Sequence, residues 1–390
     1  MRSWPTVSLA EISSKPQYGA IAKGRVLPPG PLFVRQTDIT GGRIDWETVP
    51  FCDLDADSAE RYQLRCGDLL ISRLGNGVGN AATVTEDRAD AVFAGYLVRF
   101  QPNQEEADAR FVGYQLQSRR WRDHVTSFRS GAAQPTLNAQ QMGDFEFSLP
   151  PIAEQSAIAT TLGALDDKIE SNRRAISGIF DLIDAYSDKF GKDLPLVPLS
   201  ALTTSVKRSI NPSTLDGAVV DHFSLPAFDA GASPERVSAF TIMSNKLMVP
   251  QQAILLSRLN PRFNRTWWAS VDPEVPGLAS TEFLVLTATS EADLAAVWLA
   301  LRDPSFRSEL PRRVTGTSGS HQRVKPDDVL AMDVPDFRAA NSELKQAALA
   351  MLGTAEKLST QMAQLAALRD TMLPELLSGR IRVPVEGVEA

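Results

Sequence analysis

Two long segments of the chain repeat apolar residues in alternating steps of four and three. The first stripe contains Ile158, Leu162, Leu165, Ile169, Ile176, Ile179, Ile183, Tyr186 and Phe190. The second contains Leu344, Ala348, Met351, Ala355, Leu358, Met362, Leu365, then Leu368 or Arg369, Met372 and Leu376. A heptad stripe is typical of helices that pair along one narrow seam. We therefore predict two helices of about 35 residues that pack on one another.

Asn172 takes the one polar position of the first stripe, and a single buried Asn fixes the register of a helix pair at some cost in stability. The small Ala positions of the second stripe would let another helix approach closely. Two unrelated amphipathic helices, each packed on its own core, remain the alternative.

The segments between the helices have a different pattern. Residues 1–149 and 192–334 contain short β-rich runs such as "PLFVR", "DLLISRL" and "STEFLVLTA", broken by Gly, Pro and Asp. Such runs predict strands. Residues 109–128 and 291–310 are amphipathic and predict a helix in each part. The fold class is therefore α+β, with two β-rich globular domains separated by two long helices.

Phrases of the first half recur in the second half. "LLISRL" (69–74) returns as "ILLSRL" (254–259), 185 positions later, and residues 130–151 align on 315–336 at the same offset. A third anchor, "WPTVSLAEI" (4–12), matches "LPLVPLSAL" (194–202) at an offset of 190. Chance recurrence of a short apolar phrase would not keep three anchors in order, so the chain is an internal duplication with pseudo-twofold character.

The duplication and the two stripes together predict the domain boundaries. They are 1–149 for the first globular domain, 150–191 for a central helical spacer, 192–334 for the second globular domain, 335–383 for a distal helical spacer and 384–390 for a C-terminal tail.

Composition changes this picture little. The chain is 43% hydrophobic and 22% charged, as in ordinary soluble proteins, and no apolar run is long enough for a membrane span or a signal peptide. We expect it in the cytoplasm. Two Cys and three scattered His give no zinc-type spacing, so we assign no metal, although an all-carboxylate site stays open.

Catalytic motifs are missing from the sequence. The only Gly-rich candidate for a phosphate cradle, "GNGVGN" (75–80), lacks the G-x-G-x-x-G spacing and predicts a hairpin loop instead. Ser72 and Ser257 have no G-x-S-x-G setting. Asp166 and Asp167, on the first stripe helix, are expected on a solvated face. These patterns favour binding over catalysis.

The formal net charge of −7 argues against a nucleic-acid ligand, but arginines are clustered locally. One cluster lies between residues 110 and 129, a second between 253 and 268, and a third between 302 and 325. The clusters recur in both halves, near the repeated phrases. Arginine contacts guanine or phosphate through a planar fork, although ordinary surface arginines would give the same pattern.

Several segments of the chain closely resemble one known protein family. "LPPIAEQSAIATTLGALDDKIESNRR" (149–174) resembles the central conserved region of type I restriction-modification specificity subunits, and "LRDTMLPELLSGRIRV" (368–383) resembles the distal one. "SLPAFDAG" (224–231), "LLSRLNPR" (255–262) and "GTSGSH" (316–321) are similar to one kind of second target-recognition domain in that family. The distal copy departs from the pattern, because "VPDFRAANSELKQAALAML" replaces the usual opening and Gln346 stands near the place of its glutamine.

The resemblance implies a non-catalytic subunit whose two target-recognition domains each bind one half of a bipartite, interrupted DNA site. The two helices would form an antiparallel coiled coil that sets the separation of these domains. They would also dock two modification subunits, which carry the adenine N6-methyltransferase and bind S-adenosylmethionine. Two restriction subunits, which use ATP and Mg, could complete a translocating endonuclease. The chain itself is expected to hold no cofactor.

The resemblance implies roles for four groups of residues. Because Ser-Arg occurs in both copies, Arg73 and Arg258 are expected as structural or phosphate contacts, whereas residues that differ should read bases. The base-reading candidates are Gln134, Thr136, Asn138, Ser318, Ser320, His321, Gln322 and Arg323. Further DNA contacts are expected from Arg119, Arg120, Arg122, Arg262, Arg312 and Arg313. Helix pairing and subunit docking are assigned to Glu154, Gln155, Ile158, Leu162, Leu165, Ile169, Asn172, Ile176, Leu358, Met362 and Leu365.

Two other functional classes stay open. The acidic net charge favours a coiled-coil protein-interaction scaffold with two β-rich ligand-binding domains and no DNA role. An enzyme that uses a carboxylate site would be revealed by turnover of the purified chain without partners.

Overall fold

The computed structural model describes residues 4–128, 136–314 and 322–384. The chain forms two compact units, one of residues 1–169 and 364–390 and the other of residues 170–363. Two long helices, the central helix Ile152–Gly191 and the distal helix Ser342–Leu377, each contribute to both units. Among the described residues, no helix is both long and apolar enough to cross a membrane.

The first unit contains two sheets. The four-stranded sheet has the order Gln17–Tyr18, Leu97–Phe100, Leu69–Ser72, Ala81–Thr83. The five-stranded sheet has the order Gly24–Arg25, Phe51–Cys52, Leu32–Val34, Arg88–Phe93, Gln63–Leu64. Two-stranded ladders pair Thr6–Ser8 with Glu146–Ser148 and Ile39–Thr40 with Arg43–Ile44. The shorter helices are Ala56–Glu60, Ala109–Gln115, Arg119–Ser127 and Ala139–Gly143.

The second unit repeats this plan. Its four-stranded sheet has the order Thr204–Val206, Phe283–Thr287, Gln252–Ser257, Thr266–Ser270. Its five-stranded sheet has the order Ser209–Ile210, Lys246–Val249, Gly277–Ala279, Val219–Phe223, Glu235–Ser238. A ladder pairs Leu196–Pro198 with Asp333–Pro335. The shorter helices are Leu225–Asp229, Glu291–Arg302, Pro304–Glu309 and Pro326–Leu330.

The two four-stranded sheets have the same strand order, and the strands with the repeated phrase occupy the same interior place. The five-stranded sheets share a central parallel pair, Leu32–Val34 with Arg88–Phe93 and Val219–Phe223 with Gly277–Ala279, but differ in the flanking strands. The internal duplication and the α+β class predicted from the sequence are therefore confirmed.

The two amphipathic segments are helical, as predicted, but neither is one continuous helix. The first breaks before Arg119, where the Ser118 hydroxyl accepts the Trp121 backbone N–H at 3.2 Å and starts a new helix. The second breaks at Asp303, whose carboxylate accepts the N–H of Ser305 at 2.9 Å, and Pro304 lies in the first turn of the next helix. Side-chain caps end one helix and start the next at both places.

The seam between the two long helices in the second unit contains a polar pair, of which one side chain is buried and the other is exposed. Asn172 is only 1% exposed, and its Nδ2 donates to Oε1 of Gln361 at 2.8 Å. Farther along the same seam, Ile183 of the central helix shares a core cluster with Ala348 and Leu352 of the distal helix. The helices therefore pair in antiparallel register, and Asn172 fills the polar position that the stripe predicted.

The seam in the first unit contains a buried carboxylate. Asp166 is 8% exposed and accepts hydrogen bonds from Oη of Tyr114 at 2.7 Å and Nη1 of Arg369 at 2.9 Å. The expectation that Asp166 lies on a solvated face is wrong, because these two donors replace its hydration shell. Its neighbour Asp167 is exposed and pairs with Arg43 at 2.7 Å.

The sequence left open whether Leu368 or Arg369 of the distal helix faces the central helix, and the contact with Asp166 shows that it is Arg369. Arg369 reaches Asp166, whereas Leu368 is 48% exposed. Burial of the Tyr114 hydroxyl, helped by the Asp166 carboxylate, raises the pKa of Tyr114. The phenol therefore stays protonated and remains a hydrogen-bond donor.

Replacing Arg369 by Ala should lower the free energy of unfolding of the first unit by about 2–4 kcal/mol, because a buried carboxylate loses its charged partner. Leu368→Ala, one residue earlier on the same helix, should change it by less than about 0.5 kcal/mol. Urea unfolding followed by circular dichroism measures both variants. Equal effects of the two substitutions would show that the ion pair does not hold the seam.

Candidate nucleic-acid interface

Each repeated phrase contains an arginine whose backbone is held by equivalent hydrogen bonds. The N–H of Arg73 donates to the carbonyl of Tyr96 at 3.0 Å, and its carbonyl accepts the N–H of Leu137 at 2.9 Å. In the second unit, the N–H of Arg258 donates to the backbone carbonyl of Glu282 at 2.8 Å. The Arg258 carbonyl accepts the N–H of Val324 at 3.1 Å. The repeated arginines are thus structurally equivalent.

A returning segment lies beside this arginine in both units. Leu74 forms an isolated β-bridge with Thr136, and Leu259 forms one with Arg323. We call residues 72–80 with 136–138 the recognition edge of the first unit, and residues 257–265 with 322–324 the recognition edge of the second. Each edge combines a strand end, a hairpin loop and the returning segment.

The hairpin loop of the first recognition edge packs on a basic helix. Trp121 of helix Arg119–Ser127 donates its indole N–H to the Gly79 carbonyl at 2.7 Å. Gly79 has a φ of +86°, and a Cβ there would lie 2.8 Å from Val125, so this position requires glycine. The loop 75–80 joins two antiparallel strands, which confirms the predicted hairpin.

The basic helix presents three arginines to solvent. Arg119, Arg120 and Arg122 are exposed; Arg119 lies 3.8 Å from Asp123, and Arg122 donates to the Gln117 carbonyl at 2.9 Å. Such long side chains on a fixed helix can contact a phosphate backbone without reading its sequence.

The hairpin loop of the second recognition edge lies against another basic segment, the turn Leu310–Arg313. Arg312 and Arg313 of this turn are exposed and share Glu309, at 3.5 and 2.8 Å. Arg262, on the loop itself, is also exposed. The basic clusters of the two halves therefore take corresponding places beside the two hairpin loops.

The candidates for base reading are placed unequally. Thr136 is exposed on the first recognition edge, and the Gln322 carbonyl accepts the N–H of Asn260 at 2.8 Å on the second. The side chain of Asn138 caps helix Ala139–Gly143 by accepting the N–H of Gln141 at 2.8 Å. Gln134, Ser318, Ser320 and His321 lie outside the described residues.

Three of the candidate arginines already make contacts within the protein. The guanidinium of Arg323 pairs with both carboxylate oxygens of Glu282, at 2.9 and 3.0 Å. Arg258 donates from Nη2 to the Thr281 carbonyl at 2.8 Å. Arg73 stacks over the half-exposed ring of Tyr18 at 4.9 Å. Sequence reasoning missed Tyr18 and Glu282, because no local pattern marks a partner so far along the chain.

The assigned spacer residues fall into a buried and a half-buried set. Gln155 is fully buried; its Oε1 accepts the Asp108 N–H at 2.8 Å, and its Nε2 donates to the carbonyls of Glu106 and Pro150 at 2.9 and 2.8 Å. It therefore joins the start of the central helix to the first globular core. Glu154 pairs with Arg382. Ile158 and Leu162 are buried, whereas the half-buried set is Leu165, Ile169, Ile176, Leu358, Met362 and Leu365.

The chain is similar to known proteins in sequence and in fold. Residues 40–179 match the family model of the type I restriction modification DNA specificity domain. The type I restriction enzyme MjaVIII specificity subunit of Methanocaldococcus jannaschii is 24% identical over 177 residues. That alignment spans 44% of this chain and 41% of the relative, so it covers less than half the length of either protein.

A crystal structure of the type I restriction-modification S subunit from M. genitalium has the same fold. It aligns with a TM-score of 0.58 at 14% identity, over 96% of each chain. The resemblance inferred from the sequence is therefore confirmed: residues 40–179 are similar to a type I DNA specificity domain, and the chain has the fold of that S subunit.

If the basic helix contacts phosphates, Arg119→Ala combined with Arg120→Ala should reduce the slope of log affinity for duplex DNA against log salt by about two. Arg173→Ala combined with Arg174→Ala removes the same charge from the central helix and should leave the slope unchanged. Fluorescence anisotropy of a labelled duplex at several salt concentrations measures both. Equal slopes for the two double variants would contradict this role.

Proposed function

We propose that this chain is the non-catalytic DNA specificity subunit of a type I restriction-modification complex. The match of residues 40–179 to the DNA specificity domain carries the proposal. It is supported by the repetition of one recognition edge, with its basic neighbour, in both units. Two copies of one DNA-binding domain suit a DNA site with two separate halves.

In this proposal each unit reads one half of a bipartite, interrupted site. The features shared by the two recognition edges, namely the arginine at the strand end and its backbone hydrogen bonds, position the edge on the duplex. The features that differ would specify the bases. The first hairpin loop is Leu-Gly-Asn-Gly-Val-Gly-Asn and the second is Leu-Asn-Pro-Arg-Phe-Asn-Arg, so the two half-sites should have different sequences.

The paired long helices would set the distance between the half-sites and dock two modification subunits. The seam uses only one face of the central helix, and Lys168, Arg173 and Arg174 outside it are exposed and available to a partner. The modification subunits would supply the adenine N6-methyltransferase and S-adenosylmethionine. Restriction subunits with ATP and Mg could join the same complex. This chain would contribute the choice of sequence and the placement of its partners.

The acidic net charge fits this division of labour. At −7 the chain repels a polyanion at long range, so partner subunits would have to supply part of the positive field around the duplex. Clusters of exposed basic residues lie beside both recognition edges, where contact is expected. A protein-interaction scaffold would not need this placement.

The test is to express the chain together with a modification subunit from the same source and to sequence the host DNA for N6-methyladenine. We expect one interrupted motif, with two unlike halves and a fixed spacer. A host that expresses the modification subunit alone is the control and should lack this motif.

A stable complex without methylation would contradict the specificity role and favour the scaffold. Failure of the two proteins to assemble would contradict the docking role of the helices.

A further inference from the structure

The second recognition edge carries an exposed aromatic ring between two arginines. Phe263 is 55% exposed at the tip of the hairpin loop that joins strands Gln252–Ser257 and Thr266–Ser270. The guanidinium carbons of Arg262 and Arg265 lie over its ring, 4.7 and 4.9 Å from the ring centroid. Single exposed apolar residues are common on protein surfaces, so it is the position of Phe263 on the recognition edge, among arginines, that points to a contact with a ligand.

The loop holds this ring in place before any ligand binds. The Phe263 N–H donates to the Asn260 carbonyl at 3.1 Å, and the Asn264 N–H donates to Pro261 at 2.9 Å. Asn260 and Asn264 both adopt left-handed backbone conformations, with φ of 48° and 45°. Arg265 forms a bidentate ion pair with the Asp229 carboxylate, with N···O distances of 2.6 and 2.8 Å. A ring fixed in this way loses little conformational entropy on binding.

The corresponding loop of the first unit offers no such group. Residues 74–80 contain no aromatic residue, and their one β-branched side chain, Val78, is buried. Phe263 is therefore one of the features that differ between two otherwise equivalent recognition edges. In a protein with two equivalent DNA-reading domains, the residues that differ between the domains are expected to determine which bases each domain recognises.

The surroundings of Phe263 indicate what kind of group it contacts. Arg258, Arg262 and Arg265 lie on the same loop, and the turn with Arg312 and Arg313 packs beside it, so a phosphate backbone would be held close. The two guanidinium groups cover at least one face of the ring. Insertion between base pairs needs free ring faces, whereas apolar contact with the C5-methyl group of thymine in the major groove needs only an edge.

We propose that Phe263 reads a thymine methyl group in the half-site bound by the second unit. This inference rests on the proposed function and adds to it a specificity-determining residue and the base it recognises.

The test uses the complex of this chain with its modification subunits and a duplex that carries the methylated motif. Each thymine of the second half-site is replaced in turn by uracil, which removes only the methyl group. For the wild-type chain, one replacement should weaken binding about fourfold, the factor for one buried methyl-sized group. For Phe263→Ala, the same replacement should have no effect, and the salt dependence of binding should be unchanged because no phosphate contact is lost.

Phe240→Ala is the matched control. Phe240 is 61% exposed in the same unit but lies outside the recognition edge, so this variant should keep the fourfold effect of uracil. Phe263→Leu, which keeps an apolar group, should retain part of the weakening caused by uracil. Melting curves confirm that each variant is folded.

The inference is overturned if Phe263→Ala remains as sensitive to uracil as the wild type, or if no uracil replacement weakens wild-type binding. Failure of the proposed function gives a different result, because the wild-type complex would then bind the motif no better than a scrambled duplex.

Discussion

In the first unit, the packing of the two long helices and the globular core depends on the contacts of the buried Asp166 carboxylate. This carboxylate joins the central helix to the distal helix through Arg369 and to the first globular core through Tyr114. In the second unit the buried amide of Asn172 donates to the exposed Gln361 and so joins the same two helices. A shift of one helix along the other would leave Asp166 and Asn172 buried without partners. Desolvated polar groups are costly, so the two contacts together specify one antiparallel register.

A continuous series of contacts leads from this seam to the first recognition edge. Tyr114 belongs to helix Ala109–Gln115, and Gln155 fixes the residue that caps this helix, Asp108. The Ser118 cap then starts the basic helix, and Trp121 of that helix holds the hairpin loop at Gly79. The position of the loop is thus determined by packing and hydrogen bonds that begin at the helix seam. A subunit that positions its partners along these helices would gain from such a rigid connection.

Local periodicity made much of the fold predictable from the sequence. The heptad stripes predicted both long helices, and the repeated phrases predicted the duplication, because each pattern lies within a short stretch of chain. The burial of Asp166 was not predictable in this way, since its partners lie 52 and 203 positions away. The same limit applies at the recognition edges: Arg323 looked available for DNA, but its guanidinium pairs with Glu282, 41 positions earlier. Side chains that depend on distant partners need the folded structure.

In the proposed function, the paired helices set the separation between the two half-sites. The most direct test inserts one heptad after Gly178 of the central helix and one after Thr354 of the distal helix, which face each other in the register that Asn172 and Gln361 define. Methylation sequencing of the host DNA is then repeated with this variant. We expect that the original motif is lost and that a motif with the same two halves and a longer spacer replaces it. Continued methylation at the original spacer length would contradict this role of the helices.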